Sequence, residues 1–300
     1  MSWTREAETQ ATGAETSLPP ARSPIRRTIR RFGRHRLAVL GLVIIAVLVV
    51  LAIVGSEDLA LKQDLEQADL PPSAGHWLGT DRNGRDILAR TLVGGRVSLL
   101  VGLVAVFFST AIGTVLGSLA GYYRRLDFLI MRVVDVVMSF PVIVLLLVAV
   151  ALIGPGVFNM MVMIGLITWT IPCRIVRGQF LQLRDSDFIV AARVIGVRDR
   201  SIVINHILPN SLAPLLVYAS LGVATFVLLE AGLSYLGLGV QPPTPSWGNM
   251  LNAARSISVL ERSPWQWLPP GILTLTFVLA VNFVGDGLRD ALDPRNANDR

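Results

Sequence analysis

Six apolar runs, at residues 37–54, 97–121, 136–153, 157–171, 211–229 and 268–285, constrain this chain more than anything else in it. A helix needs about 20 apolar residues, at about 1.5 Å rise each, to cross the hydrocarbon of a bilayer, and the runs approximate that length. Lipid offers no hydrogen bonds to an open backbone, so such segments must pair their own N–H and C=O groups as helices. The expectation is an all-α, polytopic membrane protein with six transmembrane helices. Composition agrees, at 52% hydrophobic and 16% charged residues with a mean hydropathy of +0.58.

Turn chemistry sets two boundaries. No charge appears from Val136 to Cys173, yet Gly154-Pro155-Gly156, followed by Asn159, divides that stretch into two spans joined by a tight turn. Residues 230–264 are also mostly uncharged, but Gln241-Pro242-Pro243-Thr244-Pro245-Ser246 cannot cross lipid with its backbone satisfied. That segment reads as a long loop with room for a short re-entrant or interfacial helix.

Arginines orient the spans. Arg22, Arg26, Arg27, Arg30, Arg31, Arg34 and Arg36 precede the first run; Arg124, Arg125 and Arg132 lie between the second and third; Arg174, Arg177, Arg184, Arg193, Arg198 and Arg200 lie between the fourth and fifth. Positive flanks face inward. Both termini are then cytoplasmic, and residues 55–96 form an extracytoplasmic loop, whose Lys62, Arg82, Arg85 and Arg90 are diluted by acidic neighbours. Residues 1–24 lack the apolar content to fold and read as a disordered cytoplasmic tail. Residues 25–54 carry a basic segment and the first span, read as a retained anchor rather than a signal peptide. Residues 97–290 form the core and 291–300 a cytoplasmic C-terminus. The net charge of +6 sits beside the spans, where orientation and anionic lipid explain it better than nucleic acid does.

The chemistry of the chain excludes several functions. Its one lysine, Lys62, follows Leu61, so there is no glycine-rich loop ending in Gly-Lys-Ser/Thr to hold ATP. His35, His76 and His206 lie in three separate segments without ligand-spaced partners, which argues against a metal site. Gly232-Leu233-Ser234 has no histidine on the following span to activate its hydroxyl, so it reads as a small-residue packing surface. Cys173, the single cysteine, reads as packing. Ionisable residues in spans default to functional roles. Asp135 either lines a pathway or pairs within its helix with Arg132; Glu230 either lines an outer vestibule or meets headgroup water; Asp286 reads as a boundary residue. None sits at mid-depth, which argues against a proton-driven carrier.

Residues 181–209 interrupt the apolar pattern. Asp185-Ser186-Asp187 offers a helix start, Phe188, Ala191, Ala192 and Ile195 recur at i, i+3, i+4, i+7, and Gly196 supplies a stop. Asp199 can cap a second short helix before Pro209 opens the fifth span. The expectation is a cytoplasmic helix-turn-helix whose small residues admit another protein's groove.

Ala191-Ala192-Arg193, Gly196 and His206-Ile207-Leu208-Pro209 resemble the EAA loop of permease subunits in ABC importers. His76-Trp77-Leu78-Gly79-Thr80-Asp81-Arg82-Asn83-Gly84-Arg85-Asp86, Met131-Arg132-Val133-Val134-Asp135 leading to Phe140-Pro141, Glu230 through Gly248 and Asp293-Pro294-Arg295 resemble the C-type permease of dipeptide and oligopeptide importers. The resemblance implies a type I ABC importer permease fold in a bacterial inner membrane. It implies pairing with a B-type permease, docking of one or two kinds of ABC ATPase subunit that bind ATP and Mg, and delivery of peptide by an extracytoplasmic binding protein. Coupling residues implied are Asp187, Ala191, Ala192, Arg193, Gly196, Asp199 and Pro209; pathway or outer-face residues are Asp135, Glu230, Trp247, Asp81 and Arg85. The usual glutamate of the loop is Val190 here, which shifts the expected fit onto Ala191, Ala192 and Gly196. Nickel or another small cargo, and an autonomous secondary transporter, stand as alternatives.

Overall fold

The computed structural model describes residues 24–292, and the expectations for the N-terminal tail before Pro24 and for Asp293-Pro294-Arg295 lie outside the described residues. Fourteen α-helices run through them: α1 Pro24–Arg34, α2 Arg36–Val54, α3 Glu57–Leu61, α4 Ile87–Tyr122, α5 Arg124–Met138, α6 Val142–Ile153, α7 Val157–Thr168, α8 Thr170–Leu183, α9 Asp187–Val194, α10 Asp199–Ser201, α11 Leu208–Tyr235, α12 Trp247–Leu251, α13 Ile257–Arg262 and α14 Leu268–Leu292.

Five helical stretches are long and apolar enough to cross a membrane: α2, α4, α7 with α8, α10 through α11, and α14. The run expected as one span at 136–153 is instead bent by 88° between α5 and α6, and it makes the sixth only if the pair is a single span. The cause is Pro141, which has no N–H to continue a helix and pushes Phe140 out of helical conformation. The turn expected at 154–156 is present, with Gly154 at φ +95° and Gly156 at φ +155°.

The helix α4 stands at the centre. Its Val101, Ala105 and Val106 form a core with Leu146 of α6, Met160 and Ile164 of α7 and Phe226 of α11. Its Leu99 joins a second core with Leu48 of α2, Val227 of α11, Trp247 of α12 and Phe277 of α14. Towards α8 it presents Gly113, Gly117 and Gly121, one turn apart on one face. A Cβ at Gly113 would meet the Pro172 side chain at 2.7 Å, one at Gly117 the Cys173 carbonyl at 2.5 Å, and one at Gly121 the Phe180 side chain. Cys173 is fully buried there, as a packing residue.

Freed backbone groups find side-chain partners. Pro172 cannot donate to the carbonyl of Thr168, and the Ser109 hydroxyl of α4 donates to it at 3.1 Å. At the end of α2, where carbonyls lose their intrahelical donors, Arg96 of α4 donates to Ala52 O at 2.7 Å, Ile53 O at 2.8 Å and Gly55 O at 2.5 Å.

A methyl group at Gly117 must push backbone apart, whereas one at Gly178 of α8 meets nothing within 4 Å. Gly117→Ala is expected to lower stability by about 1–3 kcal/mol, and Gly178→Ala to be neutral or to raise it by up to about 1 kcal/mol. Thermal unfolding of the two purified variants checks this, and equal behaviour of both would refute the close-contact account.

Candidate functional site

The helix α9 is fixed at both ends. Ser186 occupies the N-cap position, but its hydroxyl donates backwards to Leu183 O at 2.5 Å instead of capping. Gly196, at φ +84°, closes the other end: its N–H donates to Arg193 O and that of Val197 to Ala192 O, both at 3.0 Å. This is a Schellman stop, which needs a left-handed residue where glycine alone carries no Cβ penalty.

One side of α9 is seated. Ile189 and Ala192 are buried against Val176 and Phe180 of α8, Ile202 and Ile207, and Leu215 of α11. Its free side carries Phe188, Val190 and Ala191, and the tip Val194 and Ile195 is 81% and 79% exposed. The expected face of Phe188, Ala191, Ala192 and Ile195 is therefore corrected: Ala192 belongs to the seat, while Ala191 and Gly196 are exposed as expected. Apolar residues run almost all the way round this helix, so periodicity could not choose its phase. Ile189 and Val194 were missed for that reason.

The second short helix is corrected too. Asp199 opens a helix that continues through a π-helical turn at Ile202–Ile207 into α11. Pro209, exposed, sits inside this continuous stretch and does not begin it; the wider turn accommodates its missing N–H. Asp187 is exposed at the first turn of α9. Arg193 and Asp199 converge on Tyr122 of α4: the guanidinium lies 5.6 Å from the ring centroid, and the phenol donates to the Asp199 carboxylate. Tyr122, 77 positions away from Asp199, left no sequence signal.

At the opposite end of the spans the expected surface residues turn inward. Glu230 is fully buried and lines no vestibule. It accepts hydrogen bonds from Ser98 of α4 at 2.8 Å and Ser234 at 2.7 Å. Those same hydroxyls accept the N–H groups of Trp247, at 3.2 Å, and Val240, at 3.1 Å. The carboxyl group thus ends two chains that hold the 236–247 loop. Trp247 is 1% exposed, its indole donating to Thr91 O at 3.0 Å. Asp81 accepts from the N–H groups of Asn83 and Arg85 and from the Arg85 side chain at 2.7 Å, with Arg90 at 3.6 Å, so both Asp81 and Arg85 serve the loop itself. Asp135 stays half-exposed, but its partner is Arg174 of α8 at 2.6 Å, not Arg132.

Residues 113–298 match the family described as the binding-protein-dependent transport system inner membrane component. The chain belongs to that family. Residues 23–72 of this permease match the N-terminal TM domain of oligopeptide transport permease C. A Brucella suis biovar 1 protein named as a peptide permease is 47% identical over 93% of this chain and 94% of its own. The dipeptide transport system permease protein DppC of Alkalihalophilus pseudofirmus is 41% identical over 97% and 98%. The fold also matches the inward-facing MetNI methionine ABC transporter, at a TM-score of 0.56 and 20% identity, over 68% of this chain and 97% of that one. The permease is thus an ABC importer subunit of the dipeptide and oligopeptide C type, with a type I fold.

Removing the acceptor at Glu230 strands buried hydroxyls, at about 1–3 kcal/mol each. Glu230→Ala is expected to lower the unfolding temperature of this permease and open residues 236–247 to protease, with Glu230→Gln milder on both readouts. An intact loop in Glu230→Ala would show that other contacts hold it.

Proposed function

We propose that this permease forms half of the pathway of an ATP-driven peptide importer and that α9 is its coupling element. The carrying observation is the two-sidedness of α9: an exposed apolar tip at Val194 and Ile195, and a buried side fixed to α8 and α11. Force applied to the tip must reach both spans, because Ile189 and Ala192 cannot leave their seat without exposing apolar surface.

The α9 end is cytoplasmic in this reading, in keeping with the arginines beside it, and both termini share that side. ATPase subunits holding ATP and Mg dock there; a B-type permease supplies the other half of the pathway; an extracytoplasmic binding protein delivers peptide to the end capped by residues 55–86 and 236–267. ATP binding must favour one permease state over the other for the cycle to turn. Val190 is half-exposed beside the tip, so shape and apolar contact replace the carboxylate usual at that position.

Ile195→Asp is expected to cut peptide-stimulated ATP turnover and uptake by about tenfold or more, as for truncation of a central interface contact, while Val190→Glu is tolerated. The checks are co-purification of the ATPase subunits and uptake by the assembled complex in liposomes. Full activity in Ile195→Asp, or peptide uptake by the purified chain alone, would overturn the reading.

A further inference from the structure

We propose that the face shared by α5 and α8 is the polar wall of the passage and receives the charged end groups of the peptide; the inference rests on the importer reading above. The helix α6 has 12 residues, about 18 Å at 1.5 Å each and short of the roughly 30 Å of hydrocarbon, so it crosses only together with α5, with both helices tilted about their 88° bend. Along α5, Arg124, Asp127, Arg132 and Asp135 fall on one side, and Leu126, Leu129, Val133 and Val137 on the other. Ionised groups at membrane depth face water or protein, not lipid. The apolar side, with Leu129 61% and Val133 53% exposed, suits lipid or the partner permease. The charged side opens on a cleft of about 300 Å³.

Two ion pairs bridge α5 and α8, and they differ in kind: Asp127, Arg177 and Asp135 line this cleft, and Arg174 stands at its edge through its contact with Asp135. Asp127 and Arg177 meet fork to fork at 2.5 and 2.8 Å, with a quarter to a third of each side chain exposed. That geometry clamps the two helices. Asp135 and Arg174 share one 2.6 Å contact, and their side chains are 53% and 48% exposed. An open, single-contact pair holds weakly and exchanges partners readily. A peptide with free termini carries a carboxylate for Arg174 and an ammonium for Asp135 on one backbone. The cleft therefore complements a zwitterion, and blocking either terminus removes one of the two contacts.

The test uses the assembled importer in liposomes with binding protein saturated by each cargo, so that selection by the binding protein is held constant. Trialanine is compared with its N-acetylated and C-amidated forms. Arg174→Gln is expected to lower trialanine uptake about tenfold, as for loss of one partner of a charged contact, and to leave the C-amidated form little changed. Asp135→Asn does the same relative to the N-acetylated form. In the same complex, Met131→Cys, which lines the cleft, reacts with a water-soluble thiol reagent and is protected by trialanine, whereas Leu129→Cys stays unreactive. Normal trialanine uptake by the unaltered importer together with unchanged uptake ratios in both charge variants, or an inert Met131→Cys, would overturn the cleft assignment. An unaltered importer that moves no peptide with free termini would instead remove the importer reading beneath it.

Discussion

Everything at the α9 end depends on how closely α8 lies against α4. Helices in lipid gain little from hiding apolar surface, since the solvent is equally apolar, so their association relies on close packing between small residues. Gly113, Gly117 and Gly121 let the α8 backbone approach to contact at Pro172, Cys173 and Phe180. Once α8 is there, its Val176 and Phe180 form the floor on which α9 sits. Its Arg174 and Arg177 project on another side, towards Asp135 and Asp127 of α5. The Arg184 side chain then donates to Gly121 O at 3.3 Å and ties the end of α8 back to α4. One glycine stripe on a different helix therefore positions both the seat of α9 and the charged cleft.

A proline within a span frees a carbonyl, and the surroundings answer the defect in different ways. Ser109 serves the carbonyl that Pro172 leaves open. Before Pro209 the helix widens to a π turn at Ile202–Ile207. Before Pro141 the chain closes with a tighter turn, Phe140 N–H donating to Val137 O at 3.3 Å, and bends by 88°. Where a neighbouring helix supplies the donor, as α4 does at Pro172, the span continues; where the chain satisfies the released carbonyl by its own tighter turn, as before Pro141, it changes direction.

That difference also explains which features were legible in the sequence. Five of the six span positions, the glycine turn at 154–156 and a short helix stopped by Gly196 were readable, because they depend on local composition and backbone chemistry. The bend at Pro141 was not, since a proline in an apolar run gives no sign of whether a neighbouring helix will support it. The phase of α9 was hidden by apolar residues on all its sides. Asp135 drew attention as an intramembrane carboxylate, but its partner lies 39 residues away on α8, beyond any local pairing rule. Glu230 looked like a surface group because it ends a predicted span; only the fold brings Ser98, 132 positions distant, within reach of it.

The helix from Asp199 to Tyr235 joins the two ends of the molecule. It has 37 residues, about 55 Å at 1.5 Å each, long enough to pass through the hydrocarbon and beyond it on both sides. Near its start, Asp199 accepts the Tyr122 phenol and Ile202 and Ile207 belong to the seat of α9. Near its end, Glu230 accepts from Ser98. Both attachments run to α4, one at each extremity, so α11 cannot slide along α4 without breaking one of them. Stranding the buried carboxyl group costs about 1–3 kcal/mol, whereas the inner attachment is an exposed phenol contact beside an apolar seat. Under the proposed coupling role of α9, a displacement entering there tilts α11 about its Glu230 end before it shifts the helix along its axis. The lateral opening between α11 and α4 is then greatest at the end where α9 receives the push.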